Sequence, residues 1–233
     1  MTSSRFHPGN TDAIVFDVIG TLVDEDTTWL DVSEQISAMA DLGTTSQVHQ
    51  HWAAALDDRM SAVVYGQAPW QPHQQLVDES ARQAIVELGG TPTAETAVLT
   101  ASLDATYLAW PDVAGATTAL RRHCLVAGVS NGDLDSLARL SNLSAISWDV
   151  VLSTAAVRTY KPAPAAYEYA IRTLRIDPAR TLFVASHPWD LRAAAEHGFR
   201  TAYVARPGAE RPTADDRFYV AVDDLDELAA LFP

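Results

Sequence analysis

Short runs of apolar residues alternate with helical periodicity at the start of the chain and throughout its second half. The runs are four or five residues long and predict parallel strands buried on both faces; they cover residues 13–17, 125–129, 150–153, 181–185, 201–204 and 219–222. The segments between them carry apolar residues at helical spacing, as in 113–122, 162–174 and 189–197. Strands that alternate with helices predict a parallel sheet with helices on both faces.

The pattern changes between residues 27 and 108. Apolar residues there recur at three- and four-residue spacing, as in Leu30, Val32, Ile36 and Met39, and no convincing strand is present. Glycine and proline clusters interrupt this helical block around residues 43–45, 66–72 and 89–92. We therefore predict an α/β fold, a doubly wound parallel sheet formed by residues 1–24 and 109–233, with an all-helical cap domain, residues 25–108, inserted after the first strand.

Composition and charge narrow the function classes. The net charge is 16 − 30 = −14, which disfavours nucleic acid and anionic membranes as partners. No window approaches 18 uncharged apolar residues, and residues 1–10 lack the apolar run of a signal peptide. Cys124 is the only cysteine, so an internal disulfide is excluded. We interpret it as a buried structural thiol and take the cytoplasm as the default location.

Chemically useful side chains follow the predicted strands. Asp17 ends the first strand, Ser130 and Asn131 the second, and the segment 186–190, which ends in Asp190, follows the strand at 181–185. Lys161 comes a short distance after the strand at 150–153. Because ligands bind at the carboxyl ends of parallel strands, these residues are expected to form one site.

The order of these motifs resembles the haloacid dehalogenase (HAD) superfamily. The order of motifs along essentially the whole chain is the one typical of that family. It consists of an apolar strand ending in Asp-x-x-Gly-Thr (Asp17 to Thr21), then Ser-Asn, then Lys-Pro at Lys161, and then a downstream Asp at position 190. The resemblance implies a core of the Rossmann-like HAD type with a helical cap. It also implies that Asp17 is a nucleophile and that Lys161 and Asp190 are its catalytic partners.

Two departures point to the L-2-haloacid dehalogenase branch instead of the magnesium-dependent phosphatases. Ile19 stands where phosphatases carry a general acid, and Ala185 and Ser186 stand where they have Gly-Asp. The dehalogenase branch is similar in its Ser-Asn-Gly motif, in a Tyr six residues after the Lys, here Tyr167, and in a Trp-Asp pair, here Trp189 and Asp190. That resemblance implies a covalent aspartyl ester, no metal and no cofactor.

The chemistry of such a displacement is consistent with these residues. A halide departs as a stable anion and needs no proton, while an aspartate is already ionised at neutral pH. Two neighbouring carboxylates repel each other, and the ammonium of Lys161 would offset this repulsion in place of a metal. For a small carboxylate substrate we predict binding by Thr21, Ser130 and the amides of residues 18–20. Further predicted binding residues are Asn131, Tyr167, His187 and Trp52.

Some alternatives remain open. In the dehalogenases an Arg that receives the halide follows the cap Trp, whereas Trp52 is followed by Ala53; His187 and Ala185 also replace the Asn and Ser usual there. The same nucleophile could open a strained cyclic amine such as azetidine-2-carboxylate, which needs no arginine. A phosphatase-like or catalytically silent member that binds a metabolite is the third hypothesis. Apolar cap surface would allow a homodimer, although periodicity alone does not show one.

Overall fold

A parallel sheet forms the centre of the protein, for which a computed structural model describes residues 8–101 and 103–232. The prediction that residues 1–10 lack a signal peptide therefore falls, for residues 1–7, outside the described part of the chain. The strands are β1 (Ala13–Phe16), β2 (Val23–Asp24), β3 (Leu108–Ala109), β4 (Leu125–Ser130), β5 (Val150–Ser153), β6 (Thr181–Ala185), β7 (Arg200–Val204) and β8 (Val220–Val222). Six of the described strands form the sheet in the order β5-β4-β1-β6-β7-β8, and all of their pairings are parallel.

Helices cover both faces of this sheet. The helices of the chain are α1 (Glu25–Met39), α2 (Thr45–Val64), α3 (His73–Glu87), α4 (Ala94–Thr100), α5 (Val113–Leu120), α6 (Leu134–Leu143), α7 (Pro164–Leu174), α8 (Pro188–Glu196) and α9 (Leu225–Ala230). Successive strand residues point to opposite faces. Ile14 and Phe16 accordingly join one apolar cluster, while Val15 joins another with Leu191. The predicted doubly wound α/β fold is confirmed.

The cap consists of helices α1 to α4, which lie between the point where the chain leaves the core at β2 and the point where it returns at β3. At these two points β2 pairs antiparallel with β3, Val23 opposite Ala109. Local chemistry sets the helix starts: Asp24 accepts a hydrogen bond from the Thr27 amide, and Thr44 forms a capping box with Gln47. The inserted helical cap is thus present, whereas its predicted limits at residues 25 and 108 stay a prediction.

The structure differs from the sequence prediction in a few elements. Strands β2 and β3 are two residues long, too short to produce any periodicity, and β3 lies at the end of a block predicted to lack strands. Helix α6 lies in one of the intervening segments predicted to be helical, although that prediction gave no bounds for it. Cys124 is partly buried, and burial raises the pKa of its thiol to about 11. Among the described helices, none has the length and apolar character needed to cross a membrane.

Candidate active site

Asp17 lies immediately after β1, at the carboxyl end of the central strand. Its amide continues the sheet by donating to Val184 O at 2.9 Å. Its Oδ2 atom accepts a hydrogen bond of 2.7 Å from the Thr21 hydroxyl, which in turn accepts one of 2.9 Å from the amide of Ser186. The carboxylate is therefore fixed by its own loop and by the neighbouring strand β6.

Lys161 supplies the positive charge next to this carboxylate. Its Nζ atom lies 2.6 Å from Oδ1 of Asp17 and 2.5 Å from Oδ2 of Asp190, and the side chain is almost fully buried. Burial lowers the pKa of Lys161, but the two carboxylates raise it by more, so that its pKa lies above the usual value. The lysine is therefore a permanent cation between two acids.

Asp190 lies behind the lysine on helix α8, whose first residues follow β6. Its Oδ1 atom accepts a hydrogen bond of 2.5 Å from the hydroxyl of Tyr167, so both carboxylate oxygens have protein partners. Burial raises the pKa of Asp190, and the charge of Lys161 offsets this only in part. This arrangement supports the predicted role of Asp190 in orienting Lys161.

Asn131 fixes the backbone of the lysine. Its Oδ1 atom accepts a 2.7 Å hydrogen bond from the amide of Lys161 and a 3.3 Å hydrogen bond from the hydroxyl of Thr154. Ser130, at the end of β4, is buried and accepts a 3.2 Å hydrogen bond from the amide of Gly132. The second strand-end motif thus contacts the catalytic candidates directly.

A cavity of about 150 Å³ lies against Asp17, between the core and the cap. It is small and has a mixed lining of apolar, acidic and basic side chains: Asp17, Ile19, Glu25, Trp29, Leu56, Met60, His73, Ser130, Asn131, Lys161, His187 and Trp189. Five predicted site residues and two of their motif neighbours, Ile19 and Trp189, therefore meet at one cavity, from four separate strand ends. Its size suits a molecule of only a few carbon atoms.

His187 and Glu25 form one side of this cavity. The Nε2 atom of His187 lies 3.2 Å from Ile19 O and 3.7 Å from Oδ2 of Asp17. A Cβ atom built on Gly20 would lie 2.6 Å from the same nitrogen and 2.9 Å from Oε1 of Glu25, and Gly20 has a φ of +79°. Glycine is therefore required at this position. Burial raises the pKa of Glu25 to about 7, although His187 opposes the shift.

The structure does not bring Trp52 to the cavity. Its indole is fully buried within the cap, where Nε1 donates a 3.0 Å hydrogen bond to Val77 O and the ring packs on Trp29 at 4.2 Å between centroids. It is Trp29 that lines the cavity. The tryptophan at the cavity is thus the one on α1, because the one on α2 points into the helix–helix interface.

Thr21 and Tyr167 also differ from their predicted roles as substrate-binding residues. Both side chains are fully buried, and their hydroxyl groups contact Asp17 and Asp190, respectively, instead of facing the cavity. Their hydrogen bonds position the two carboxylates. A sequence motif shows that such residues lie near the site, but not whether their side chains face the cavity or contact the catalytic carboxylates from behind.

Sequence reasoning missed five cap residues that line the cavity: Glu25, Trp29, Leu56, Met60 and His73. The apolar residues among them have helical spacing, but residues in the interior of the cap have the same spacing, so this pattern could not identify those at the cavity. His73 follows a proline at the start of α3, and its Nδ1 atom lies 2.6 Å from Oδ2 of Asp104. This pair spans 31 residues and has no local motif. Glu25, at the start of α1, was missed for the same reason.

The described side chains do not fit the magnesium ion of the phosphatases. Lys161 occupies the space between Asp17 and Asp190, which would otherwise be the two ligands, and Ser186 replaces the third acid. Within residues 8–101 and 103–232, no group of three histidine, cysteine or acidic side chains is placed to hold a metal. A hard divalent cation requires several oxygen ligands, so this donor set does not suit one.

The fold and the site together define a class of doubly wound α/β proteins with a helical cap over a buried aspartate. A family model described as haloacid dehalogenase-like hydrolase matches residues 11–198. The chain therefore belongs to the haloacid dehalogenase-like hydrolases, as its motifs predicted.

Individual relatives agree with this assignment. The chain is 29% identical over 206 residues to the (S)-2-haloacid dehalogenase H-109 of Pseudomonas putida, with 85% of this chain and 87% of the relative covered. A crystal structure of an L-2-haloacid dehalogenase superposes with a TM-score of 0.83 at 29% identity, covering 96% of this chain and 100% of that one. A dehalogenase with an intermediate complex superposes with a TM-score of 0.82 at 25% identity, covering 95% and 97%.

Proposed function

We propose that this hydrolase displaces halide from a small (S)-2-haloacid through an ester of Asp17 and releases a 2-hydroxy acid. The observation that carries the proposal is the buried Asp17–Lys161 pair at a small cavity, with Ile19 where a general acid would be needed for phosphoryl transfer. Each of the two reaction steps requires something different from these residues.

In the first step an oxygen of Asp17 attacks C2 of the substrate. The C–O bond forms as the carbon–halogen bond breaks, and the halide leaves with the bonding electron pair, so no proton is transferred. Lys161 and the hydroxyl of Thr21 hold the carboxylate in one orientation by contacts of 2.6 and 2.7 Å. This orientation reduces the entropic part of the barrier. Apolar walls such as Ile19 and Met60 exclude water from the attack.

In the second step water attacks the ester carbonyl of Asp17 and returns the carboxylate. The negative charge that develops on the carbonyl oxygen needs hydrogen-bond donors already in place. Lys161 is one donor, and backbone amides of residues 18–20 are the others in our proposal. The oxygen of the water stays on Asp17, one of its protons passes to the departing alkoxide of the product and the other is released to solvent. We assign the orientation of this water to the Asp190–Lys161 pair. The product leaves with an oxygen that came from Asp17.

The names of the relatives support this substrate class. The Pseudomonas putida relative is an (S)-2-haloacid dehalogenase, and one structural neighbour is a dehalogenase with an intermediate complex. We carry the same substrate class over to this chain, together with a reaction that needs neither a metal nor a cofactor. The substrate is then a small carboxylate such as a two- or three-carbon 2-haloacid, in keeping with a cavity of about 150 Å³.

Single turnover in heavy-oxygen water tests the proposal. With enzyme in excess over 2-chloropropionate, the label is expected in the carboxylate of Asp17, located by mass spectrometry of the peptide that contains it. Unlabelled 2-hydroxypropionate should appear in equal amount. Label that appears in the product alone would contradict an ester of Asp17, because water would then have attacked C2 directly.

A second candidate keeps the nucleophile and changes the leaving group. Glu25 places an acid in the cavity, and Ala53 stands where the dehalogenases carry an arginine. An acidic lining suits a cationic leaving group, such as the ring ammonium of azetidine-2-carboxylate. Opening of that ring by Asp17 would likewise require no acid at position 19.

Purified protein distinguishes the two candidates. Free halide is measured after incubation with 2-chloropropionate, and ring-opened 2-hydroxy-4-aminobutyrate after incubation with azetidine-2-carboxylate. Release of halide alone supports the first candidate, and ring opening alone supports the second. The Asp17→Asn variant should be inactive in both assays.

A further inference from the structure

A halide displaced by Asp17 must be received inside the cavity, where the two nitrogen-bearing side chains beside the nucleophile, Lys161 and His187, are already engaged. The ammonium of Lys161 is within 2.6 Å of both Asp17 and Asp190. The Nε2 atom of His187 contacts Ile19 O at 3.2 Å and lies beside Asp17. Because both groups face the nucleophile, neither is placed to receive an anion that leaves on the opposite side of the carbon.

Displacement at carbon fixes where that anion emerges. The nucleophile and the leaving group lie on opposite sides of the attacked carbon, so a halide displaced by Asp17 departs away from the sheet edge and toward the cap. The cap helices contribute Glu25, Trp29, Leu56, Met60 and His73 to the cavity wall. Of these five described residues, Glu25, Leu56 and Met60 carry no side-chain N–H group, and the indole nitrogen of Trp29 donates to Tyr107.

His73 is held in one orientation by a buried acid. Its Nδ1 atom donates to Oδ2 of Asp104 at 2.6 Å, and both side chains are almost fully buried. Because Asp104 takes Nδ1, Nε2 is the ring nitrogen that remains for a molecule in the cavity. Asp104 is itself fixed by the hydroxyl of Tyr107 at 3.2 Å. The imidazole is therefore oriented before any ligand binds.

We propose that His73, oriented by Asp104, binds the departing halide through its Nε2–H group and takes the place of the arginine at whose position this chain has Ala53. The inference rests on the proposed function, since it assumes that the leaving group is a halide. The C–X electron pair leaves on the halide, which accepts a hydrogen bond from Nε2–H, and no proton moves. His73 is thus a catalytic residue of the displacement step.

The charges around His73 favour its cationic form. Burial lowers the pKa of His73, but Asp104, which contacts the ring, raises it by more, and Asp133 and Glu25 raise it further. Asp133 lies close to His73 because its carboxylate accepts hydrogen bonds from the backbone amides of His73 and Gln74 at the start of α3. The pKa of His73 therefore lies above its usual value, and an imidazolium attracts a halide more strongly than a neutral ring.

Halide binding without turnover provides the first test. Sodium bromide is titrated at constant ionic strength, maintained with sodium sulfate, and binding is followed by the indole N–H resonance of Trp29, which lines the same cavity. In His73→Asn, which keeps a donor near the Nδ1 position but has no Nε2, bromide affinity should fall roughly tenfold to a hundredfold. His73→Gln, which places an amide near the Nε2 position, should recover part of that affinity.

A matched control separates this role from general loss of charge. His51 also pairs with an acid of the cap, Glu87 at 3.0 Å, but that pair is exposed. His51→Asn should bind bromide as the unchanged protein does. Asp104→Asn, which keeps His73 but removes its carboxylate partner, should weaken bromide binding as well, and thermal melting confirms that each variant is folded. Equal bromide affinity in folded His73→Asn and the unchanged protein would overturn the proposal.

Leaving-group dependence provides the second test. Chloride is the poorer leaving group and the stronger hydrogen-bond acceptor, so kcat for 2-chloropropionate should fall more in His73→Asn than kcat for 2-bromopropionate, with KM less affected. Equal losses for both substrates would contradict the proposal. Absence of halide release from either substrate by the unchanged protein would instead contradict the proposed function, while the bromide titration would still test His73.

Discussion

The Nζ atom of Lys161 lies 2.6 Å from the Oδ1 atom of Asp17, and both side chains are shielded from solvent. Removing the ammonium would leave two carboxylates close together with no compensating charge. We expect Lys161→Met to lose activity by at least a thousandfold and to lower the free energy of unfolding by about 3–5 kcal/mol at pH 7. Urea denaturation and halide release measure these two effects.

A second substitution checks the electrostatic cause. Asp190→Asn in the Lys161→Met background removes one of the two repelling charges, so part of the lost stability should return although activity does not. If the double variant is no more stable than Lys161→Met, lost packing around the lysine stem, and not charge repulsion, explains the destabilisation. Lowering the pH should likewise narrow the stability difference between Lys161→Met and the unchanged protein, because protonation removes the same repulsion.

The hydroxyl of Thr21 fixes the nucleophile by its 2.7 Å hydrogen bond to Oδ2 of Asp17. Thr21→Val keeps the shape of the side chain and removes this bond, together with the partner of the Ser186 amide. We expect kcat to fall about tenfold to a hundredfold, since a hydrogen bond to a charged group contributes about 1.5–3 kcal/mol. KM should change little. Thr21→Ser, which keeps the hydroxyl, is the control and should retain most of the activity.

The two tryptophans of the cap should behave differently. Trp52 is buried and donates to Val77 O, so Trp52→Phe should reduce stability by about 1–3 kcal/mol, because a buried acceptor loses its partner. Its kcat/KM should stay within about threefold of the original value. Trp29→Phe alters a wall of the cavity and should change KM more than Trp52→Phe does. A larger effect of Trp52→Phe on KM would place Trp52 in substrate binding after all.

The sequence predicted the core of the site because its motifs are local. Asp17, Ser130, Asn131 and Asp190 each lie at or just after a strand, and the carboxyl ends of parallel strands meet at one edge of the sheet. The alternation of strands and helices and the presence of an inserted helical block were predicted from periodicity in the same way. These features depend on residues that are close together in the chain.

The cap side of the site could not be predicted in the same way. Whether a helical residue such as Trp29 or Trp52 faces the cavity depends on how α1 and α2 rotate and pack, and the spacing of apolar residues is the same for both faces of a buried helix. The pairing of His73 with Asp104 depends on tertiary contacts between separate cap segments. Such pairs appear only when the packing of the helices is known.

Glu25 provides a pH test that distinguishes the two candidate leaving groups. Burial raises its pKa to about 7, so its side chain is neutral below pH 7 and becomes an anion in the cavity above it. An anion repels a departing halide, so kcat/KM for a haloacid should fall, by about tenfold, as the pH rises from 6 to 8.5. For a departing ammonium, kcat/KM should instead rise over the same pH range, because the anion attracts the leaving group.

Glu25→Gln is the variant that assigns this pH dependence to Glu25, because its amide stays neutral at every pH. With a haloacid, the part of the decline between pH 6 and 8.5 that is caused by Glu25 should therefore disappear. A profile with the same midpoint in Glu25→Gln and the unchanged enzyme would show that another group controls the reaction. An increase in kcat/KM with pH for a cyclic amine, lost in Glu25→Gln, would instead identify an ammonium as the leaving group that this cavity accepts.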